Sequence, residues 1–146
     1  MDFVVLDLET TGLDCQKDQV IEIGAVRISH GILCEEFSTL IKPDVAVPEQ
    51  ITELTGIDDD MVRNMPSLPE IIPQLKIFLQ GSVIVGHNIT FDLGFLRSHI
   101  PESFLWLDTI EMAKILLPLE ASYSLKELAV SIGIDQVSPF FPRKCR

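Results

Sequence analysis

Two carboxylates stand two residues apart in a run that is otherwise apolar and rich in β-formers, Phe3-Val4-Val5-Leu6-Asp7-Leu8-Glu9. Side chains alternate along a strand, so Asp7 and Glu9 leave the same face. Two acids side by side in an apolar strand lose hydration and repel each other. A pair of exposed acids on an edge strand would avoid that cost, but the flanking Phe3, Val4, Val5, Leu6 and Leu8 weigh against it. A hard cation between the two carboxylates removes the repulsion and replaces the lost water. The pair therefore points to a strand that carries a metal site.

The rest of the chain supplies a setting for that strand. Thr10-Thr11-Gly12 ends it, and a polar loop through Lys17-Asp18 leads to a second apolar run, Val20 to Ile28. His30-Gly31 reads as a hairpin turn, and a third strand is expected from about Glu36 to Lys42. Three strands with short turns predict an antiparallel meander. Short helices follow at Pro48 to Leu54 and at Asp58-Asp59-Asp60. Ser67-Leu68-Pro69-Glu70 is a capping box that opens a helix to about Leu79, with Pro73 disturbing its first turns. Ser82 to Val85 is a fourth strand, and Asn88 is placed to cap a helix from Ile89 to about His99. Leu105 to Leu107 is a candidate fifth strand, with a helix from about Thr109 to Leu117. Ser124-Leu125-Lys126-Glu127 opens a last helix to about Ile132, with Gly133 as its terminal glycine. A meander followed by strand–helix alternation predicts an α/β fold with a mixed sheet flanked by helices.

A third acid, Asp92, falls in the first turn of the Ile89 helix, where negative charge is favoured by roughly 0.3–1 kcal/mol. Alone it reads as an ordinary helix-terminal acid; beside Asp7 and Glu9 it becomes a third candidate ligand. The 146-residue chain suits one domain, and its net charge of −11 argues against a broad basic face for nucleic acid. Clustered carboxylates neutralised by divalent cations remain compatible with phosphate contact. Cys15, Cys34 and Cys145 form no paired motif, so neither a zinc site nor a disulfide framework is signalled. No apolar run approaches the ~20 residues of a membrane helix. The start of the chain lacks signal-peptide character. The expected location is the cytoplasm, with no membrane partner.

These residues carry a resemblance. Leu6-Asp7-Leu8-Glu9-Thr10-Thr11-Gly12-Leu13 resembles the first motif of the DEDD exonuclease superfamily. Gly86-His87-Asn88-Ile89-Thr90-Phe91-Asp92, with Phe95-Leu96, resembles the second. Leu54-Thr55-Gly56-Ile57 resembles the helix end that contacts the terminal nucleotide, and Leu107-Asp108-Thr109, Tyr123-Ser124-Leu125 and Leu128 match later framework. The likeness covers roughly residues 2–135. It is strongest to epsilon-type proofreading subunits of DNA polymerase III and to exonuclease domains of DinG-type helicases, in the DEDDh branch. It implies a ribonuclease H-like fold and two-metal phosphodiester hydrolysis at nucleic-acid 3′ ends, DNA before RNA. By the same resemblance, Asp7 would bridge two Mg²⁺ or Mn²⁺ ions, Glu9 would hold the first and Asp92 would serve the second. Thr10, with the backbone of Thr11 and Gly12, would hold the terminal nucleotide, and Leu54 and Thr55 would pack against it. Phe91 reads equally as a stacking surface or a core aromatic, Asn88 as a cap or a substrate contact, and His87 as a hydrogen-bonded strand-end histidine. A DNA polymerase or a helicase is the implied partner.

The chain departs from the family at its third motif, a histidine general base and an acid about five residues on. Ser138-Pro139-Phe140-Phe141-Pro142-Arg143-Lys144-Cys145-Arg146 contains neither, and three of the last four residues are basic. Residues 1–138 are therefore expected to form an exonuclease domain lacking its last helix, and 139–146 an atypical basic tail from a truncation or frameshift. Tyr123 and Glu127 have the spacing of the related tyrosine branch, but the Ser124 capping box accounts for Glu127. Losing a general base costs roughly 10²–10⁴ in rate, so activity is expected to be weak or absent. The competing readings are a non-catalytic module that binds nucleotide ends or a partner, and an α/β domain whose acids are structural.

Overall fold

The computed structural model describes residues 1–134 apart from residue 102. A five-stranded sheet organises them in the order β3-β2-β1-β4-β5. β1 (Asp2–Thr10) is central and pairs antiparallel with β2 (Val20–Ser29), which pairs antiparallel with β3 (Ile32–Leu40). On its other side β1 runs parallel to β4 (Ser82–Gly86), and β4 runs parallel to β5 (Trp106–Asp108). This is the mixed α/β sheet expected, a meander extended by parallel strands.

The strands form where β-branched and aliphatic residues dominate. β2 is an interior strand with Val20, Ile21, Ile23, Ala25 and Val26 buried, Val20, Ile23 and Ala25 in the main core and Ile21 in a second cluster. The β2–β3 turn puts His30 and Gly31 at φ of 52° and 78°, the doubly left-handed geometry whose twist suits a two-residue hairpin. β3 begins at Ile32, four residues before the expected start at Glu36. Its first residues are exposed and polar or mixed, so hydrophobic alternation does not mark them; pairing with β2 extends them instead.

Val4, Leu6 and Leu8 project from β1 into the main core. There they meet Ile71, Ile72, Leu75 and Leu79 of α3 (Leu68–Leu79) and Ile89, Phe95 and Leu96 of α4 (Ile89–Leu96). Ser67 and Glu70 cap α3 as expected, the Ser67 amide donating to Glu70 Oε2 at 2.7 Å. Pro73 lies inside that helix without ending it. α4 stops at Leu96, earlier than the expected His99. α5 (Thr109–Leu116) and α6 (Leu125–Ser131) follow β5. Ser124 Oγ donates to Glu127 Oε2 at 2.9 Å, so Glu127 belongs to a cap, and the Tyr123 hydroxyl donates to the Leu117 carbonyl at 3.1 Å. The tail expected at 139–146 lies outside the described residues.

A bulge shapes the mouth of the sheet. Glu9 pairs with Glu22 but Thr10 pairs with Val20, leaving Ile21 as the extra residue on β2. Val20 joins the main core, whereas Ile21 enters a second cluster with Val47, Ile57 and Val62. That cluster anchors the segment holding α1 (Glu49–Thr55) and α2 (Asp59–Val62) beside the end of β1.

Candidate active site

The candidate acids gather at the carboxyl ends of β1 and β4, the position at which open α/β sheets bind ligands. The last β1–β4 pair is Val5 with Val85, and β4 turns away after Gly86. β1 continues, and its Leu8 amide donates to Asp92 Oδ1 at 2.9 Å. The Asp92 carboxylate thus caps β1 at the residue between Asp7 and Glu9.

Gly86 makes this junction possible. A Cβ there would lie 2.5 Å from Ile89 Cδ1 and 3.0 Å from the Leu6 carbonyl oxygen. Asn88 then adopts φ 66° and ψ 43°, a left-handed conformation that asparagine tolerates better than most residues. It stands at the helix start, as expected of a cap, but its side chain makes no capping hydrogen bond. Its backbone amide donates to Asp108 Oδ1 at 3.1 Å instead. His87 Nδ1 lies 2.9 Å from Thr109 Oγ1, in keeping with a hydrogen-bonded strand-end histidine.

Electrostatics mark the same place. Asp92 is 4% exposed, and its pKa is pushed from 3.8 up to about 7. Burial is the largest cause, and the charge of Asp7 adds to it; the Leu8 amide opposes both, and Glu9 adds a smaller push upward. Asp7 opens to solvent, yet the protein around it desolvates its carboxyl enough to raise its pKa, while His87 draws it down. Asp7 and Glu9 thus crowd negative charge beside the buried Asp92 carboxyl and raise its proton affinity. Hard oxygen donors in that condition fit a divalent cation in donor chemistry. Among the described residues, no three His, Cys, Asp or Glu side chains already stand as a ready-made cation cage.

The loop after β1 is braced from within. The Thr10 hydroxyl donates to the Gly12 carbonyl at 2.6 Å, and Thr11 exchanges backbone and side-chain bonds with Gln19. Asp18 Oδ2 accepts the Asp14 amide at 2.9 Å and lies where a Cβ on Gly12 would fall. Thr10 and Thr11 are buried, so this loop presents backbone rather than threonine side chains. Leu54 is 80% exposed, but Thr55 is buried, donating to the Ile51 carbonyl at 2.8 Å and accepting the Ile57 amide at 3.1 Å. Phe91 is half-buried against the core, its ring centroid 5.1 Å from that of Phe95. The acids converge, then, while Phe91 and Thr55 face protein. Asp108 was only framework in the sequence; its buried carboxylate serves the site's main chain, which its adjacency to Thr109 did not signal.

The exonuclease family model, RNase_T, matches residues 4–138. The chain belongs to the exonuclease family. The match agrees with the DEDD 3′–5′ motifs, and enzymes of this kind are generally dependent on divalent metal. The chain is 44% identical to DNA polymerase III PolC-type of Thermotoga maritima over 138 residues, covering 90% of this chain and 10% of that protein. It is 37% identical to the DNA polymerase III epsilon subunit of Aquifex aeolicus over 139 residues, covering 91% of this chain and 69% of that one. It thus spans about a tenth of the PolC-type relatives' length. A structure of exonuclease X in complex with 5′ overhanging duplex DNA matches with a TM-score of 0.74 at 26% identity, over 99% of this chain and 81% of that one. Exonuclease I matches with a TM-score of 0.81 at 19% identity, over 94% and 38%, a likeness of fold.

Proposed function

We propose that this domain hydrolyses phosphodiester bonds at the 3′ ends of DNA, with Asp7, Glu9 and Asp92 holding divalent cations. The observation that carries the reading is the bond from Asp92 to the Leu8 amide, which ties the third acid to the strand between the other two. Bound there, two Mg²⁺ or Mn²⁺ ions would supply Lewis acidity and charge neutralisation at the phosphate. The protein's own part is to present desolvated carboxylates and to seat the terminal nucleotide. The exposed Leu54 supplies an apolar contact for it, and Thr55 holds the helix end that carries Leu54. The backbone of Thr10, Thr11 and Gly12 borders the same end of β1. DNA is preferred because the relatives are DNA polymerase III proteins and the exonuclease X structure holds duplex DNA. A DNA polymerase is the proposed partner. No helix among the described residues is long and apolar enough to cross a membrane. We place the proposed activity in the cytoplasm on the likeness to DNA polymerase III proteins.

The 146 residues include no histidine and acid that match the family's third motif, so turnover by this chain is expected to be slow. That observation favours one second reading, a module that binds cation and nucleotide ends without cutting. Hydrolysis of a 3′-labelled single strand in Mg²⁺ or Mn²⁺ separates the two. Activity lost in Asp7→Ala supports the nuclease; cation binding without hydrolysis supports the module.

A further inference from the structure

One carboxylate oxygen joins the starts of two helices beside the acids. Asp108 Oδ1 accepts the Asn88 amide at 3.1 Å and the Ile110 amide at 2.9 Å, and its residue is 7% exposed. Next to it, Thr109 Oγ1 donates to the Gly86 carbonyl at 3.2 Å. A hydroxyl has one hydrogen, and a carbonyl can only accept it. Toward His87, 2.9 Å away, the same oxygen must therefore be the acceptor, so Nδ1 carries a hydrogen that it donates to Thr109. Pairing of Gly86 with Asp108 at the end of β4–β5 completes the attachment. The turn held this way contains the left-handed Asn88, a conformation that surrounding bonds have to maintain. From it α4 departs and carries Asp92 back to the Leu8 amide.

We propose that Asp108 and Thr109 are positioning residues of the nuclease site: they fix the Gly86-His87-Asn88 turn and through it the place of the Asp92 carboxylate on β1. Neither residue is assigned a contact with the cation or the reacting phosphate. In its catalytic consequence the inference rests on the nuclease reading; in its structural consequence it does not. A misplacement of about 1 Å in such a site is able to cost on the order of 10²-fold in rate.

The test uses the whole chain and the variants Asp108→Ala, Asp108→Asn, Thr109→Val and Thr109→Ser. Asparagine still offers an oxygen to both amides, and serine still links His87 to Gly86. The first readout is hydrogen exchange at the Leu8 amide, which reports the Asp92 bond without cation or substrate. Exchange should quicken at least about 10-fold in Asp108→Ala and Thr109→Val, and return toward the parent in the conservative variants. The second readout is hydrolysis in Mn²⁺, where kcat should fall about 10-fold or more with KM within about twofold. Should Asp108→Ala fail to fold, the smaller change Thr109→Val decides. Parental Leu8 exchange in a folded Thr109→Val overturns the proposal, as does an Asp108→Asn as impaired as Asp108→Ala. If the parent shows no hydrolysis, the nuclease reading fails and Leu8 exchange alone decides the positioning role.

Discussion

At the residue scale, Asp92 carries opposing consequences for stability and function. Its folded pKa of about 7 lies above its ordinary 3.8, so the folded state binds this proton more tightly than the unfolded one. In the metal-free protein, stability from this group is therefore lost as pH climbs from about 4 to about 7, and the deficit stays constant above that range. A gap of about three pH units bounds the effect at up to ~4 kcal/mol. Asp92→Asn keeps an oxygen for the Leu8 amide but removes the charge. With chelator present at pH 8 its Tm should exceed the parent's, and the difference should close near pH 4. A parental Tm equal to or above the variant's at pH 8 would remove the case that Asp92 is strained by its own ionisation. Added Mn²⁺ should raise the parent's Tm and leave that of Asp92→Asn nearly unchanged, because the cation needs the carboxylate that the proton otherwise occupies.

At the element scale, the β2 bulge and α1 act together. Ile21 leaves the regular register and binds the α1–α2 segment through Ile57, which is fully buried. Gly56 then ends α1 at φ 71°, donating its amide to the Thr52 carbonyl at 2.7 Å, and Leu54 stands outward one turn from the core anchor. The contact role of Leu54 and the anchoring role of Ile57 should separate by mutation. Leu54→Ser, on an exposed site, should change stability by less than about 0.5 kcal/mol and raise KM for a single strand. Ile57→Ala should cost about 2–5 kcal/mol by opening a cavity in the small cluster, and should raise KM as well because α1 loses its anchor. Denaturant melts and steady-state kinetics check both. An unchanged KM in Leu54→Ser would remove Leu54 from the nucleotide contact.

At the scale of the whole molecule, the charge of −11 sets how nucleic acid is held. A basic groove releases many counterions, and single-strand affinity then falls with a slope of ~0.7 per phosphate neutralised. This chain has 11 basic against 22 acidic residues, and Arg27 is spent inside the fold, on Ser82, the Phe78 carbonyl and Glu35. Binding should therefore depend more on divalent cation than on low salt. Fluorescence anisotropy of a short single strand, with an inactivating Asp7→Ala as control, should give a shallow salt slope in Mn²⁺, equivalent to no more than about two phosphates. A steep slope that persists in chelator would point to a basic surface formed elsewhere.

Local signals in the chain determined the elements and the chemistry. Alternation placed Asp7 and Glu9 on one face of a strand, the Ser67 and Ser124 boxes started α3 and α6, and His30-Gly31 and Gly133 took the backbone conformations that their residue types allow. Each depends on neighbours a few residues away, so each is readable in one dimension. Tertiary structure alone decided what converges. The 84-residue separation of Leu8 from Asp92 is closed only by parallel pairing of β1 with β4. The inward turn of Thr10, Thr11 and Thr55, the exposure of Leu54, and the grip of Asp108 on Asn88 likewise follow from packing between distant segments. A sequence pattern reports which side chains share a face of one element; which carboxylate is desolvated, and by whom, is settled by what packs over that face.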